Sequence, residues 1–522
     1  MKRLTIVTFI LLLFISQACV KTTVDFDKIS GEMELAPSFV IAVVKGEVTL
    51  SDIVEPTDTL VFEDDNAIKF VFAEESIINF QLEDFYTSFP TSSYSEVFPL
   101  VQYAIDDIRD TLDIDPGDDM KLKEMSVLTG SVSYTITSWC DFESNIDLVF
   151  STIDDGGVPL TVTVFIPANG TSTGAIVLDN TLISMDGDPA QPYNRLPINF
   201  SVVPLGAPVL DPVDSIRIDV LFEEPEFDYI RGYFGTHLVE SEKDTLELGL
   251  EDIFSKITGS IFLSNPSISV DYTNSFGIPM RVEALVTGKN STEEISLNRA
   301  PEDLLYPTTT DNREVSSSFV IDRDNSELPE LVSMLPDEII LGGSASANPA
   351  GETLDNIIFA NSGFSADVNV EVPLEFRITD LQLSDTTSNF LLDEEEGGSP
   401  LDNLSSLKLN MFIDNGFPLG GNISVALYDS ISGIIIDQID TGDFFEPAEV
   451  DASGKVTTST EHTTIIEFTE SFLESAGEAN SIIFSFMLYT TDHGTRDVKI
   501  YSDYNIRFSA GLSFKANLNI NN

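Results

Sequence analysis

Apolar and polar residues alternate along much of this chain, and the alternation limits its fold more than any other feature. Clear examples are residues 131–136, 160–165, 368–372 and 512–520. Successive side chains of a β-strand point to opposite faces, so a period of two is typical of strands with one buried and one solvated face. Clusters of Gly, Pro, Asn and Asp separate these runs about every ten residues, as in β-sandwiches. We therefore predict an all-β fold of tandem Ig-like β-sandwich modules.

Helical periodicity is scarce, and we expect only a few short connecting helices. The best patterns lie at residues 97–112, 251–256 and 325–335. In the last of these, Asn325 can cap the N-terminus, or Ser326 can do so, and Pro329 falls in the first turn, where its missing N–H costs little. These segments are predicted to connect the ends of sandwiches.

A short motif of Gly, an apolar residue and Pro recurs between the strand-like runs. It is found at residues 154–160, 274–280 and 414–419, with a degenerate copy that begins at 361–363. Asp or Asn beside Gly favours a turn with positive φ, and Pro suits the first residue of an edge strand because it has no N–H to donate. We predict one hairpin corner per module, with a structural role.

The spacing of these corners predicts how the chain divides. We expect a signal peptide at 1–18, a lipidated tether at 19–34, an N-terminal β-rich module with a connecting helix at 35–125, β-sandwich modules at 126–245 and 246–335, a degenerate sandwich at 336–400 and a C-terminal sandwich at 401–522.

Residues 1–18 have the pattern of a signal peptide. A basic pair, Lys2 and Arg3, precedes an apolar run at 4–15 that is too short to span a bilayer, and small residues then lead to Cys19 in a loose lipobox. We predict cleavage before Cys19 and acylation of its thiol and amine, which would anchor the protein stably to a membrane. The alternative is an ordinary signal peptide in which Cys19 is incidental.

Charge and cysteine content narrow the range of partners. Lys and Arg number 26 against 87 Asp and Glu, a formal net charge of −61. Such a charge repels nucleic acid and attracts divalent cations or basic partners, although a well-solvated acidic surface is the favoured explanation. Of the two cysteines, Cys140 has no partner if Cys19 is acylated. We therefore expect a small buried Cys140 and no disulfide.

One acidic segment has the residue types of a calcium site. Asp113, Asp115, Asp119 and Glu124 surround a turn at Gly117, and carboxylate oxygens at alternate positions suit Ca²⁺. The Gly is one position early for an EF-hand loop, so the alternative is an acidic surface turn. We expect no other cofactor.

The sequence contains no recognisable catalytic constellation. His237, His462 and His493 have no second His or Cys at metal-ligand spacing, and nucleophile-elbow, P-loop and dinucleotide motifs are absent. Paired carboxylates are abundant at this composition and therefore indicate little, and a single tryptophan, Trp139, offers few platforms for sugars. We expect a protein that is not an enzyme, with a carboxylate-based hydrolase as the least favoured alternative.

Residues 229–235, 274–279 and 335–349 resemble a group of large, uncharacterised lipoproteins of the Bacteroidota. The resemblance covers roughly residues 100–500, and it implies a fold and a location but no activity or site residue. The Gly-apolar-Pro corner is also distantly similar to that of the late-embryogenesis-abundant type-2 (WHy) β-sandwich.

We expect a non-catalytic protein, lipid-anchored in the outer membrane, that acts as a structural, adhesive or accessory component with an envelope protein as partner. The first alternative is binding of a glycan or other ligand beside an outer-membrane transporter, for which Tyr229, Tyr233 and Phe234 are the candidate exposed aromatics. A further alternative, given 36 Phe, is lipid handling along an apolar groove. Acidic residues come late after Cys19, so the side of the outer membrane, periplasmic or surface, stays open.

Overall fold

The all-β prediction is confirmed. The structure, a computed structural model, describes residues 33–35, 38–52, 59–85, 91–100, 108–117, 119–154, 156–223, 225–240, 243–247, 257–388, 404–516 and 518–520. Most of these residues form antiparallel sheets, and the helices among them are short. The sheets pack face to face as three β-sandwiches, called here the first, middle and third sandwich.

The chain begins with strands that belong to different sandwiches. They are β1 (Met33–Leu35), β2 (Ser38–Thr49), β3 (Leu60–Phe62) and β4 (Ile68–Gln81), with a 3-10 turn at Leu50–Asp52 and helix α1 (Leu82–Phe85).

The first sandwich follows without interruption. Its strands are β5 (Ser92–Pro99), β6 (Ile108–Asp113), β7 (Lys121–Thr129), β8 (Ser131–Ser138), β9 (Ser144–Asp154), β10 (Pro159–Ile166), β11 (Thr171–Val177), β12 (Leu182–Ser184), β13 (Arg195–Pro204), β14 (Ser215–Phe222) and β15 (Glu226–Tyr233). One sheet has the order β11-β8-β14-β5. The other contains the order β10-β9-β13-β6 and continues from β9 through β12 and β7 to β15.

The middle sandwich takes β4 and β3 from the start of the chain. Its other elements, with the strands that connect to the next sandwich, are β16 (Leu238–Glu240), β17 (Asp244–Glu247), β18 (Ile257–Thr258), β19 (Ile261–Leu263), β20 (Ser267–Asn274), β21 (Met280–Lys289), β22 (Glu294–Ser296), β23 (Glu302–Leu304), β24 (Val315–Ile321), α2 (Leu328–Ser333), β25 (Glu338–Ala347), β26 (Asn356–Phe359), β27 (Gly363–Pro373) and β28 (Glu375–Ile378). One sheet has the order β24-β20-β27-β4-β3, and in the other β21 pairs with β22 and β23 while β25 pairs with β16 and β17.

The third sandwich takes β2 from the start of the chain. Its other elements are β29 (Leu381–Ser388), β30 (Leu404–Asn415), β31 (Leu419–Asp429), β32 (Ile434–Phe445), β33 (Glu449–Val450), β34 (Val456–Thr458), β35 (Thr460–Phe468), α3 (Glu470–Ala476), β36 (Ser481–Thr490), β37 (Val498–Lys499), β38 (Asn505–Ala516) and β39 (Leu518–Ile520). Its sheets have the orders β35-β30-β38-β2 and β32-β31-β36-β29-β18.

All three sandwiches share one strand order, that of an eight-stranded jelly roll. When the eight strands of each sandwich are numbered 1 to 8 in chain order, one sheet has the order 6-3-8-1 and the other has the order 5-4-7-2. Strand 1 is β5 in the first sandwich, β4 in the middle sandwich and β2 in the third. The first sandwich is therefore inserted between strands 1 and 2 of the middle sandwich, and both are inserted between strands 1 and 2 of the third.

This nesting divides the chain differently from the predicted modules. Strands of the predicted module 35–125 lie in all three sandwiches, because β2 pairs with β38, β4 with β27 and β5 with β14. The predicted module 336–400 is not a sandwich of its own, since β25 and β27 belong to the middle sandwich and β29 to the third. Sequence spacing cannot reveal such exchanges, because the partner strands are hundreds of residues apart.

The junctions between sandwiches are built alike. A strand that leaves the inner sandwich pairs with a strand in the loop before strand 8 of the outer sandwich: β15 with β26, and β28 with β37. We call the end where strand 3 crosses to strand 4 the corner end and the opposite end the hairpin end. Each junction joins the hairpin end of one sandwich to the corner end of the next. Among the described residues, the corner end of the first sandwich and the hairpin end of the third form no junction.

The predicted Gly-apolar-Pro corners have two different structures. The copy at 154–160 is a hairpin, as predicted: Gly156 and Gly157 have φ of 67° and 96°, and Pro159 begins β10. The copies at 274–280 and 414–419 instead cross from one sheet to the other, so the hairpin prediction is wrong there.

A buried Asn holds each crossing. The side-chain oxygen of Asn274 accepts from the backbone N–H of Phe276, and that of Asn415 accepts from Phe417, at 2.9 and 3.0 Å. Each amide nitrogen donates to carbonyl oxygens of neighbouring loops, which for Asn415 are those of Leu419 and Glu446, at 2.7 and 2.8 Å. The Asn therefore satisfies backbone groups that the crossing would otherwise bury without partners.

One predicted helix is wrong. Residues 97–112 contain the end of β5 and most of β6 instead, with 101–107 outside the described residues. The helix predicted at 325–335 is confirmed as α2, shorter than expected and with Pro329 in its first turn. The segment 251–256 lies outside the described residues. Cys140 is buried, as expected, and its thiol is free.

Candidate functional site

A cavity of about 390 Å³ lies between the two sheets of the middle sandwich. Its walls are mostly apolar side chains from both sheets. They include Ile77, Ile78, Phe80, Ile268, Val270, Tyr272, Val282, Ala284, Val286, Leu304, Phe319, Ile321, Leu341, Ala345, Phe364, Ala366 and Val368. The cavity is larger than the engineered site of about 150 Å³ that holds benzene, and it falls within the range of about 300–1,000 Å³ typical of ligand pockets.

Small residues on strand 7 create this space. In the first sandwich, the inward face of β13 includes Ile198 and Phe200, which are fully buried. The corresponding positions of β25 are Gly343 and Ala345, and both line the cavity. Across from Gly343, β21 also has a small residue, Ala284. Because a core normally fills such positions to close packing, the missing side-chain volume remains as a cavity.

The cavity wall includes an irregular part of β4. The pairing of β4 with β27 slips between Ala366 and Val368, where Ser76 has φ of 55° and its N–H donates to the Asp367 carboxylate at 2.7 Å. The bulge turns Ile77 and Ile78 towards the cavity, and both side chains are partly exposed. Bulges commonly redirect side chains beside binding sites.

The neighbouring sheet edge is also divided. Strand 2 of the middle sandwich consists of β16, which pairs with Ser344 to Ser346, and β17, which pairs with Glu338 to Leu341. Gly342 lies between these two pairings and contributes to the cavity wall. Strands 1 and 2 flank the same side of a jelly roll, so the β4 bulge and the division of strand 2 lie on one side of the cavity.

The cavity wall has no group suited to covalent or acid–base chemistry. Its polar side chains are Ser76, Asn79, Ser344 and Tyr272, and no Asp, Glu, Lys, Arg, His or Cys is among the described residues that line it. The Tyr272 hydroxyl accepts a hydrogen bond from the Leu305 N–H at 2.8 Å. The cavity therefore suits an apolar molecule that is bound by burial of surface.

The residues predicted to bind calcium have other partners. Asp113 lies 3.2 Å from Arg195, and Glu124 accepts a hydrogen bond from Tyr229 at 2.9 Å. Asp115 accepts from the N–H of Gly117 two residues later, and Asp119 has φ of 59° in the same turn. In the described part of the chain, no three His, Cys, Asp or Glu side chains converge as a metal site would require. The acidic-turn interpretation fits this geometry.

The aromatic residues predicted to be exposed lie at a junction instead. Tyr233 and Phe234 are 8% and 2% exposed, so they cannot serve as an open platform, and that prediction is wrong. Tyr229 is half-buried where β15 pairs with β26. Burial, together with the hydrogen bond that its hydroxyl donates to Glu124, raises the pKa of Tyr229 to about 12. Glycan binding at these residues thereby loses its support.

Exposed apolar residues cluster at the corner end of the first sandwich, which has no junction. Trp139, Val209 and Val213 are all exposed there, Val209 at 91%. The loops that carry them are tied together, since the N–H of Trp139 donates to the carbonyl of Ser215 at 3.0 Å. Exposed apolar patches of this kind are typical of protein–protein contact sites.

Comparison with known proteins identifies no family. No protein-family profile matches the chain, and no curated protein matches it. A Parabacteroides distasonis protein described as secreted matches with a TM-score of 0.40 and 13% identity, over 92% of this chain and 99% of that chain. A chain from the triple jelly roll fold and turret assembly of an archaeal virus matches with a TM-score of 0.12 and 12% identity, over 85% and 95% of the two chains. Neither likeness carries an argument at these scores. No helix in the described residues is long and apolar enough to cross a membrane.

Sequence reasoning missed the cavity, although a signal was present. The run Gly342 to Ala347 contains only Gly, Ser and Ala, while strand 7 of the first sandwich has large apolar residues at its inward positions. Within a strand of a sandwich core, a run of small residues leaves space that only the opposite sheet can fill. The sequence does not tell which strands lie opposite, so the significance of this run becomes clear only in the structure.

Proposed function

We propose that this chain is a non-catalytic, lipid-anchored protein of the bacterial outer membrane that holds an apolar ligand in its middle sandwich. The acylated residue would be Cys19, as its lipobox predicts. The anchor and the location rest on the N-terminal sequence, and the ligand rests on the cavity.

The cavity between the sheets of the middle sandwich is the observation that carries this proposal. Burial of apolar surface contributes about 0.8 kcal/mol per methylene group. A hydrocarbon body that fills the space would therefore bind without any charged contact, and no Asp, Glu, Lys, Arg or His among the described residues of the wall calls for a charged headgroup inside. The ligand class that fits is an acyl chain or another uncharged apolar body.

Titration of the mature chain without lipid, starting at residue 20, with the neutral fluorophore N-phenyl-1-naphthylamine tests the ligand. We expect saturable binding that Ala345→Leu weakens about tenfold or more, because the new side chain occupies the space that the probe needs. Ala190→Leu, at an exposed turn, serves as the matched control and should leave binding unchanged. Equal affinity in Ala345→Leu would contradict binding in this cavity.

A second function, adhesion or support of an envelope partner, is favoured by the end-to-end order of the sandwiches. The anchor would hold the third sandwich, and the exposed residues around Trp139 would lie at the far end of the series. Protease treatment of intact cells, beside a Cys19→Ala variant, tests both location and anchor. Cleavage on intact cells would indicate a surface role, and protection would indicate a periplasmic one. Absence of acyl groups on Cys19 in mass spectrometry of the membrane-extracted protein would refute the anchor.

A further inference from the structure

The hairpin between β31 and β32 presents isoleucine to solvent. Ile431 is 90% exposed, Ile434 59% and Ile435 51%. We call residues 430–435 the isoleucine hairpin. Large aliphatic side chains at a turn give up favourable burial unless another surface covers them.

The turn is held firmly, so the exposure is built into the fold. The Asp429 carboxylate accepts from the N–H of Ile431 at 3.0 Å and from the amide nitrogen of Asn480 at 2.8 Å. The Asn480 side-chain oxygen accepts from the N–H of Ser430 at 2.9 Å. Gly433 supplies the positive φ, 73°, that closes the turn. Three hydrogen bonds at a surface turn, together with the Gly that allows its backbone, indicate a defined presentation of the isoleucines.

The isoleucine hairpin lies at the hairpin end of the third sandwich, which has no junction to another sandwich. β30 runs from Leu404 to the corner at Asn415, and β31 runs back from Leu419 to Asp429, so the turn that follows is at the end where β30 begins. Residues of this end do not face the middle sandwich, which adjoins the corner end through β28 and β37.

The N-terminus of the chain enters at the same end. Ser38, the first residue of β2, pairs with Lys515, and Leu404 pairs with Ala516. Strand β1 pairs with β39 just beyond. Segment 20–32 separates β1 from Cys19 and can reach at most about 45 Å when fully extended. An acylated Cys19 would therefore hold this end of the third sandwich within about 45 Å of the bilayer, with the other end facing away.

The charges at this end favour an uncharged lipid surface. Glu470 and Glu474 of α3 are exposed there, because β35 ends opposite Leu407, near the start of β30. Anionic lipid would be repelled, whereas zwitterionic headgroups would leave the apolar contact intact.

We propose that the isoleucine hairpin inserts into the interfacial region of the bilayer that holds the lipid anchor, and so fixes the third sandwich against the membrane. This inference rests on the proposed anchor for its location. Interfacial insertion of a few aliphatic side chains strengthens an acyl anchor in the same way as a second membrane-binding signal.

Flotation of the unacylated chain, starting at residue 20, with dioleoylphosphatidylcholine vesicles tests the insertion separately from the anchor. We expect measurable binding that a variant carrying Ile431→Ser, Ile434→Ser and Ile435→Ser lowers about tenfold or more, from the loss of three apolar contacts. The matched control, Val209→Ser with Val213→Ser at the far end of the first sandwich, should bind as the unchanged chain does. Vesicles that contain phosphatidylserine should bind less.

A second measurement keeps the proposal testable if the triple variant fails to fold. Ile431→Cys labelled with an environment-sensitive fluorophore should shift to the blue on vesicles, and Val209→Cys should not, since Cys140 is buried and does not compete for label. Equal flotation of the triple variant, or no shift at residue 431, would overturn the proposal. If the unchanged chain is a dimer and the triple variant is a monomer that still binds vesicles, the isoleucines form a contact between two copies, and the proposal is also overturned. If Cys19→Ala releases the protein from cells while these tests fail, the anchor stands and the insertion does not.

Discussion

Filling the cavity with a larger side chain should stabilise the middle sandwich. Ala345 lines the cavity from β25 and faces Val282 of β21 across the sheet. Leu in its place adds three carbons to the cavity, and at about 0.8 kcal/mol per buried methylene the upper bound is about 2.4 kcal/mol. Measured cavity-filling changes are smaller, about 0.5–2 kcal/mol. We therefore expect Ala345→Leu to raise the free energy of unfolding by about 1 kcal/mol.

The same strand provides a control at a filled position. Ala347 is two residues further along, on the same face, but it is 3% exposed and lies outside the cavity. Extra carbons there have no space to occupy, and such overpacking typically costs about 1–3 kcal/mol. Ala347→Leu should therefore destabilise the protein, so that two identical substitutions on one strand differ in sign.

Urea denaturation followed by far-UV circular dichroism measures the global change. Hydrogen–deuterium exchange of peptides that cover β25 reports the local one, because opening of a single sandwich need not coincide with unfolding of the whole chain. Slower exchange in Ala345→Leu and faster exchange in Ala347→Leu are the expected results. Destabilisation of similar size in both variants would refute the existence of usable space beside Ala345, and with it the proposed ligand site.

Three further predictions concern the corners and the charges. Asn415→Ala should destabilise the third sandwich by about 3 kcal/mol in urea denaturation, since it leaves buried carbonyl and N–H groups without partners; a change below about 1 kcal/mol would contradict this role. The Arg313 guanidinium lowers the pKa of Asp228, with two contacts of 2.7 Å. That ion pair therefore stabilises the folded protein at neutral pH, and this stabilisation is lost as pH falls below about 4. Because both groups are partly exposed, Asp228→Asn should lower the free energy of unfolding by at most about 1 kcal/mol at pH 7, and should not change it in acid. Burial raises the pKa values of Tyr229 and Tyr504 to about 12. The neutral phenols therefore stabilise the folded protein below about pH 10, and this stabilisation is lost as pH rises further. In a titration followed by absorbance at about 295 nm, some tyrosines should ionise only at the pH at which the protein unfolds. Ionisation of all tyrosines before unfolding would refute the burial of these two.

Local sequence predicts the strands of this protein well and their partners poorly. The alternation at 131–136 and 160–165 falls within β8 and β10, because a period of two is decided by neighbours along the chain. The helix at 97–112 was mispredicted because its apolar spacing also fits two strands, and pairing with β14 and β13 selects those.

The candidate site depends on contacts that no local pattern contains. The cavity needs Gly343 and Ala345 on one sheet to face the bulged β4 on the other, and β4 comes from the start of the chain. The prediction that Tyr233 is exposed is wrong for the same reason. The strand that covers this region, β26, lies more than a hundred residues further along the chain.

The nested insertion of the sandwiches has a consequence for how the chain reaches its native state. The first sandwich takes all eight jelly-roll strands from one uninterrupted segment, β5 to β14, so these strands can pair without waiting for a distant part of the chain. β4 must wait for β27, and β2 for β38, which follows it by more than four hundred residues. The first sandwich should thus fold first, the middle sandwich next and the third sandwich last, so that β2 pairs last although it is made early. Until then the edges of β2 and β4 are open to wrong partners, which makes a chaperone most valuable to the outermost unit.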